Sequence, residues 1–326
     1  MNKRENVLSL LNEQEVQEYI PAAFFLHFHK DYHSGQPAVD KHLEYYRHTG
    51  MDFVKIQYEK MFPRIPEIKR PEDWVKMPLY KRDFYEGQLG VVKGLVKAAK
   101  KEALVIMTLY SAFMCAEHTV GTQIITRHIK EDPEEVKKGL EIITESLMLF
   151  VKDCIKLGID GFYASTQGGE SHRFDDPSLF EAFIKPHDLA IMEEINRSCI
   201  FNVLHICDYN GAYSDLTPFL DYPGQVVNYS LTSECRVPGK EEELFSEEIT
   251  GKQVSEMFHR PCMGGMDRKG IIVSGGKDEI REAVRNVINN APDKFILGAD
   301  CTLPGNIDWD NIKTAISAAH EYKKDE

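Results

Sequence analysis

The sequence predicts a single (β/α)8 barrel of the TIM type. Eight apolar runs alternate with amphipathic helical segments almost from end to end. The runs are apolar on both faces, as strands of a parallel sheet covered by helices must be. No G-x-G-x-x-G follows the first run and no Walker A pattern occurs, so an open nucleotide-binding sheet is disfavoured and a closed eight-unit barrel preferred.

In chain order the runs fall at 22–28, 52–58, 103–109, 160–164, 199–206, 225–230, 261–265 and 294–299. Helical periodicity occupies 38–49, 84–101, 133–157, 177–197, 211–220, 251–258, 277–290 and 308–322. The third helix is the clearest. Asp132 can cap it, Pro133 fits its first turn, and Glu134 and Glu135 suit the positive end of the helix dipole. Val136, Leu140, Ile143, Leu147, Phe150 and Cys154 then recur at steps of four and three, and Gly158 follows as a stop. The last helix repeats that spacing with Ile312, Ala315, Ile316 and Ala319. No repeat, linker or low-complexity tract interrupts the pattern, so residues 1–326 read as one domain. Two long connections, 59–83 and 231–250, are candidate lids or rim insertions.

Composition narrows the function. With 42% apolar residues the chain can bury a sizeable core. It carries 39 Lys+Arg against 52 Asp+Glu, a net charge of −13, which argues against nucleic acid or an anionic membrane face as the main partner. Seven cysteines, an odd number spread along the chain, suit a reduced compartment better than a disulfide framework. The amino terminus has no secretory apolar segment, and no run approaches the roughly 20 residues that span a bilayer. A soluble cytoplasmic protein is expected.

Two places carry metal-capable side chains at the ends of apolar runs. The run 199–206 finishes in His205-Ile206-Cys207, and the run 294–299 is followed by Asp300-Cys301. Positions 205 and 207 are two apart, so an extended backbone aims both side chains the same way. In a barrel the carboxyl ends of the strands converge on the active site, which would bring Cys301 to them. One imidazole and two thiolates suit zinc, with a fourth position open to water or substrate. An isolated H-x-C is more often inert core, and it is the second cysteine at another strand end that favours metal. Cys262 is expected to pack, and Cys115, Cys154, Cys199 and Cys235 to be structural or incidental.

A rival cluster, His27-Phe28-His29, sits at the end of the first run and would fit a metal-dependent amidohydrolase. That chemistry also needs a histidine after the sixth run, where Val227-Asn228-Tyr229-Ser230 stands, and a bridging lysine absent from Phe162-Tyr163-Ala164-Ser165. Glu59 and Asp267 are the candidate catalytic carboxylates, as proton acceptor, fourth ligand or substrate anchor. Either could equally cap a helix or pair with a base. His27, His29, Tyr58, Tyr163 and Glu170 are expected to line the substrate pocket, with His172 in the same glycine-containing loop as Glu170.

At these residues the chain resembles the uroporphyrinogen decarboxylase superfamily, and within it the zinc-dependent methylcobamide:thiol (coenzyme M) methyltransferases. The resemblance is carried by Met263-Gly264-Gly265-Met266-Asp267, by Gly275-Gly276-Lys277-Asp278-Glu279-Ile280, and by the stretch from Phe295 to Pro304 followed by Asn311. The segment from Phe180 to His187 is similar to that superfamily's helix after the fourth strand. The decarboxylase branch carries an arginine-rich motif after the first strand, whereas this chain has no arginine between Arg4 and Arg47. Its aspartate after the second strand has no clear match either; Tyr58-Glu59 stands there. The methyltransferase branch implies zinc on His205, Cys207 and Cys301, a corrinoid (methylcobamide) delivered by a partner corrinoid protein, and a small-molecule methyl acceptor or donor. One departure is that Asp208 stands where that branch usually has glycine. The alternatives are decarboxylation of a polycarboxylate tetrapyrrole, and a non-catalytic barrel that binds a corrinoid protein or tetrapyrrole.

Overall fold

The computed structural model describes residues 2–12, 14, 16–230, 232–236 and 244–323, and for 232–236 and 244–248 the backbone alone. Its strands are β1 (Phe53–Ile56), β2 (Leu104–Tyr110), β3 (Gly161–Thr166), β4 (Val203–Ile206), β5 (Val226–Asn228), β6 (Thr232–Arg236), β7 (Leu244–Glu248), β8 (Cys262–Met266) and β9 (Phe295–Ala299). The helices of the first half are α1 (Lys3–Ser9), α2 (Gly35–Thr49), α3 (Arg82–Ala99), α4 (Ala112–Val120), α5 (Thr122–Glu131) and α6 (Pro133–Lys156). Those of the second half are α7 (Ser178–Phe183), α8 (Lys185–Ser198), α9 (Gly251–Phe258), α10 (Ile271–Ser274), α11 (Lys277–Asn289) and α12 (Trp309–His320).

Seven strands form one parallel sheet in the order β1-β2-β3-β4-β5-β8-β9, curled into a TIM-barrel-like arrangement with helices outside. β6 and β7 form a separate antiparallel hairpin within the long connection 231–250. Residues 231 and 237–243 of that connection, and the side chain of Cys235, lie outside the described residues. No helix among the described residues is long and apolar enough to cross a membrane.

The run 22–28 corrects the expected count of eight strands. It occupies the gap between β9 and β1 but makes only two isolated parallel bridges, Ala22 with Leu297 and Leu26 with Leu303. Asp52, fully buried at the start of β1, explains why no ladder forms on the other side. Its carboxylate accepts from Ala22 N at 2.7 Å, Tyr19 Oη at 2.6 Å and His320 Nε2 at 2.8 Å. A side chain thus takes the N–H that a ladder partner would have taken. Asp160 does similar work below β3, accepting both guanidinium nitrogens of Arg4 at 2.7 and 2.8 Å and Val105 N at 2.9 Å. Gly161, beside it, is obligatory for packing: a Cβ there would stand 1.6 Å from the Phe201 carbonyl oxygen.

Three helical expectations also change. The segment 177–197 is two helices, because Pro186 sits in the first turn of α8 and cannot continue α7. The segment 211–220 holds only a 3-10 turn, Thr217–Phe219. There Asp215 accepts from Thr217 N at 2.8 Å and its hydroxyl at 2.7 Å, a local turn that competes with helix. The stretch between β2 and α6, with no helix expected, forms α4 and α5. The connection 59–83 is docked rather than free: Trp74 is fully buried, donates to His128 Nδ1 at 3.2 Å, and packs where Gly139 of α6 leaves room.

Candidate metal centre

His205 lies on β4, Cys207 one residue beyond its end, and Cys301 two residues beyond β9. The sheet brings them together as expected. Their ligand atoms all lie within 4.8 Å of one another, and the two Sγ atoms are 4.0 Å apart. Two sulfurs bound tetrahedrally at about 2.3 Å would stand about 3.8 Å apart, so the sulfur pair is spaced for zinc.

Asn228, at the end of β5, orients the imidazole. Its Nδ2 donates to Met263 O at 2.9 Å and Ala299 O at 3.1 Å, which fixes which end of the amide is oxygen. Oδ1 then accepts from Tyr163 Oη and from His205 Nδ1, each at 2.5 Å. With Nδ1 protonated, Nε2 keeps the lone pair that a metal needs. The same amide ties β5 to β8 and β9, which is what carries Cys301 toward β4. Asn228→Ala is expected to lower zinc affinity about ten- to a hundredfold, the usual cost of a lost outer-sphere partner, in a chelator-competition titration. Unchanged affinity would refute this role.

The sulfurs have their own supports. Gln167 Nε2 donates to Cys207 Sγ at 3.3 Å, and its Oε1 accepts from Asn210 at 3.2 Å. Cys301 is held well below the ordinary thiol range by a hydrogen bond from Cys207 and by the neighbouring His205 and Arg268. Cys207 is pushed up by that same bond and by burial. Cys301 is therefore the more readily ionised of the two thiols.

The cluster opens on a cavity of about 630 Å³ lined by His27, Lys55, Tyr163, His205, Cys207, Cys301 and others. Of the expected pocket residues, His27 and Tyr163 line it. Glu59 is buried behind His27, accepting from its Nδ1 at 3.0 Å, with His33 Nε2 3.6 Å away. Three others stand elsewhere. Tyr58 is fully buried against Tyr110 and Phe150, His29 is exposed beside Asp31, and Glu170 is buried in an ion pair with Arg173, which also bonds Glu117. Asp267 is exposed and accepts from Lys269 N at 2.7 Å, capping its own turn. His172 packs against Gly211. Cys262 is fully buried in β8, and Cys115, Cys154 and Cys199 are buried too.

Lys55 escaped sequence reasoning. It is 6% exposed on β1, its ammonium 4.3 Å from the Phe25 ring centroid and 4.4 Å from that of Tyr163. The Tyr163 ring in turn stands 4.9 Å from that of His205, so one ring separates ammonium from imidazole. Gln57 Oε1 accepts from Nζ at 2.8 Å, and no carboxylate among the described residues pairs with it. Burial pushes its pKa down to about 7, against the opposing pull of Cys301, Glu59 and Cys207.

Fold and site together define a TIM-barrel-like α/β protein with a candidate metal centre at the carboxyl ends of its strands. The chain belongs to the uroporphyrinogen decarboxylase (URO-D) family, whose sequence profile matches residues 47–322. Among solved structures it resembles a methyltransferase from Methanosarcina mazei, with a TM-score of 0.75, 14% identity, and coverage of 98% of this chain and 99% of that one. It also resembles a protein from Listeria monocytogenes assigned as a vitamin-B12-independent methionine synthase, with a TM-score of 0.53, 12% identity and coverage of 88% and 86%. A B12-independent methionine synthase from Shewanella sp. W3-18-1 gives 0.51, 11%, 93% and 95%. At such identities the likeness is one of fold. No curated protein sequence matches significantly.

Proposed function

We propose that this protein is a zinc-dependent methyltransferase that moves a methyl group between a corrinoid, carried by a partner protein, and a thiol-type acceptor. The observation that carries the proposal is the cluster of His205, Cys207 and Cys301 facing the cavity. Zinc held there would lower the pKa of a thiol at its open position and keep the sulfur nucleophilic at neutral pH.

The chain supplies the rest. Asn228 holds His205 in the ligating tautomer. His27 gives its Nδ1 to Glu59 and so presents Nε2 as acceptor for the thiol proton. With a methylated corrinoid bound, the thiolate sulfur would form the S–C bond as the methyl–cobalt bond breaks, the electron pair of that bond remaining on the corrinoid. Lys55 places a cation beside the site, which favours an acceptor carrying negative charge. Tyr209 and Met61, 72% and 49% exposed at the cavity mouth, supply apolar contact for an incoming corrinoid protein. The free cysteines among the described residues suit a cytoplasmic location.

Decarboxylation of a polycarboxylate tetrapyrrole is the alternative, favoured by Lys55 and Arg64 on the cavity wall. The discriminating assay follows loss of methylcobalamin absorbance with zinc-loaded protein, a panel of thiols and tetrahydrofolate. Turnover with at least one thiol is expected. No turnover with any acceptor would overturn the proposal, and tetrapyrrole decarboxylation by a Cys301→Ser variant would support the alternative.

A further inference from the structure

We propose that Arg268 is a positioning residue: with Asp208 and Asp300 it sets the separation of the two ligand cysteines. The proposal rests on the metal-site reading for its purpose, though not for its geometry. β4 and β9 are not neighbours, since β5 and β8 lie between them. No ladder therefore fixes the loop of Cys207 against that of Cys301. Arg268 leaves the top of β8 in the gap. Its backbone N–H donates to Asp300 Oδ1 at 2.7 Å, and its Nη1 donates to Asp300 Oδ2 at 2.6 Å and to Asp208 Oδ1 at 3.1 Å. Asp208 directly follows Cys207, and Asp300 directly precedes Cys301. One guanidinium thus spans the residues adjoining both ligands.

The three side chains are largely buried, at 14% exposure for Arg268 and 10% for each aspartate, so the charge-assisted bonds are little weakened by water. A residue without a side-chain acceptor at position 208 would leave Arg268 bound to Asp300 alone. Lysine at 268 would keep the charge but lose the planar fork, so Arg268→Lys separates geometry from charge.

The test uses Arg268→Lys and Asp208→Asn in the full chain, with Cys207→Ser as control and circular dichroism to establish that each variant folds. In metal-stripped protein, phenylarsine oxide reports whether two thiols can be bridged, independently of any metal reading. Both variants are expected to bind it at least tenfold more weakly than wild type. In cobalt(II)-substituted protein both should keep the sulfur-to-cobalt charge-transfer band, which Cys207→Ser diminishes. Their ligand-field bands should shift and their metal release accelerate at least tenfold. Arsenical affinity, cobalt spectrum and release rate all within twofold of wild type would overturn the clamp. Weakened arsenical binding in a protein whose wild type takes up no cobalt would uphold the clamp and refute the metal site.

Discussion

Replacing Cys301 by serine is expected to weaken zinc retention and methyl transfer together while leaving the protein folded. Serine's hydroxyl stays protonated at neutral pH and is a poor zinc ligand, so His205 and Cys207 alone would remain. If structural zinc in a four-ligand site contributes about 10–16 kcal/mol, one ligand is worth on the order of 3 kcal/mol, a hundredfold or more in affinity. Activity should fall further, by about a thousandfold, because the remaining metal would lose the second thiolate that keeps a bound sulfur electron-rich. Cys301 lies at the cavity rather than in the core, so little packing is lost. Metal content by mass spectrometry, with thermal melting as control, checks this. Wild-type zinc content and turnover in the variant would remove Cys301 from the site.

The second large effect is a trade between stability and function at Lys55. Lys55→Met should raise the melting temperature by about 5 °C near pH 6.5 and lower kcat/KM for anionic acceptors about tenfold or more. Burial holds the folded-state pKa at about 7, well under the ordinary lysine value of 10.5. Below pH 7 the folded protein must therefore carry a buried charge that costs a few kcal/mol. Between about pH 7 and 10.5 the unfolded chain binds the extra proton, so wild-type stability rises with pH through that window. The methionine variant lacks this slope, and its advantage should shrink toward zero as pH approaches 10.5. In wild type, binding of an anionic acceptor should weaken as pH rises through about 7, and in the variant it should not. Gln57 Oε1 keeps Thr108 as a donor at 3.0 Å, so no new acceptor is stranded. A variant less stable than wild type at pH 6.5, with unchanged acceptor binding, would contradict the account.

Much of the architecture was legible because periodicity is a direct imprint of burial. The spacing from Val136 to Cys154 marks α6, and the runs 103–109 and 294–299 match β2 and β9 to within a residue or so. The cluster of His205, Cys207 and Cys301 was legible because strand parity and the carboxyl-end rule together place three side chains. Parity also explains a miss. On β1 and just beyond it, Lys55 and Gln57 face inward, whereas Tyr58 points outward to Phe150 of α6, so a run expected to be apolar on both faces carries its polar residues in the interior. Asn228 read as a missing ligand because its value lies in four hydrogen bonds to groups on β3, β4, β8 and the end of β9, which no local pattern encodes. Glu170 and Asp267 were indistinguishable from functional carboxylates by spacing alone, since what decides them is the partner each finds. The 22–28 run was read as a strand from its apolarity, but Asp52 takes one of its N–H groups and ends the ladder before it starts.

X-ray absorption at the zinc edge, on zinc-loaded protein before and after addition of a thiol acceptor, tests the central claim most directly. The account predicts one zinc per chain with two sulfur neighbours and one imidazole nitrogen, rising to three sulfurs when the thiol is added. A protein that takes up no zinc, or whose zinc keeps two sulfur neighbours at saturating thiol while methyl transfer proceeds, would contradict it.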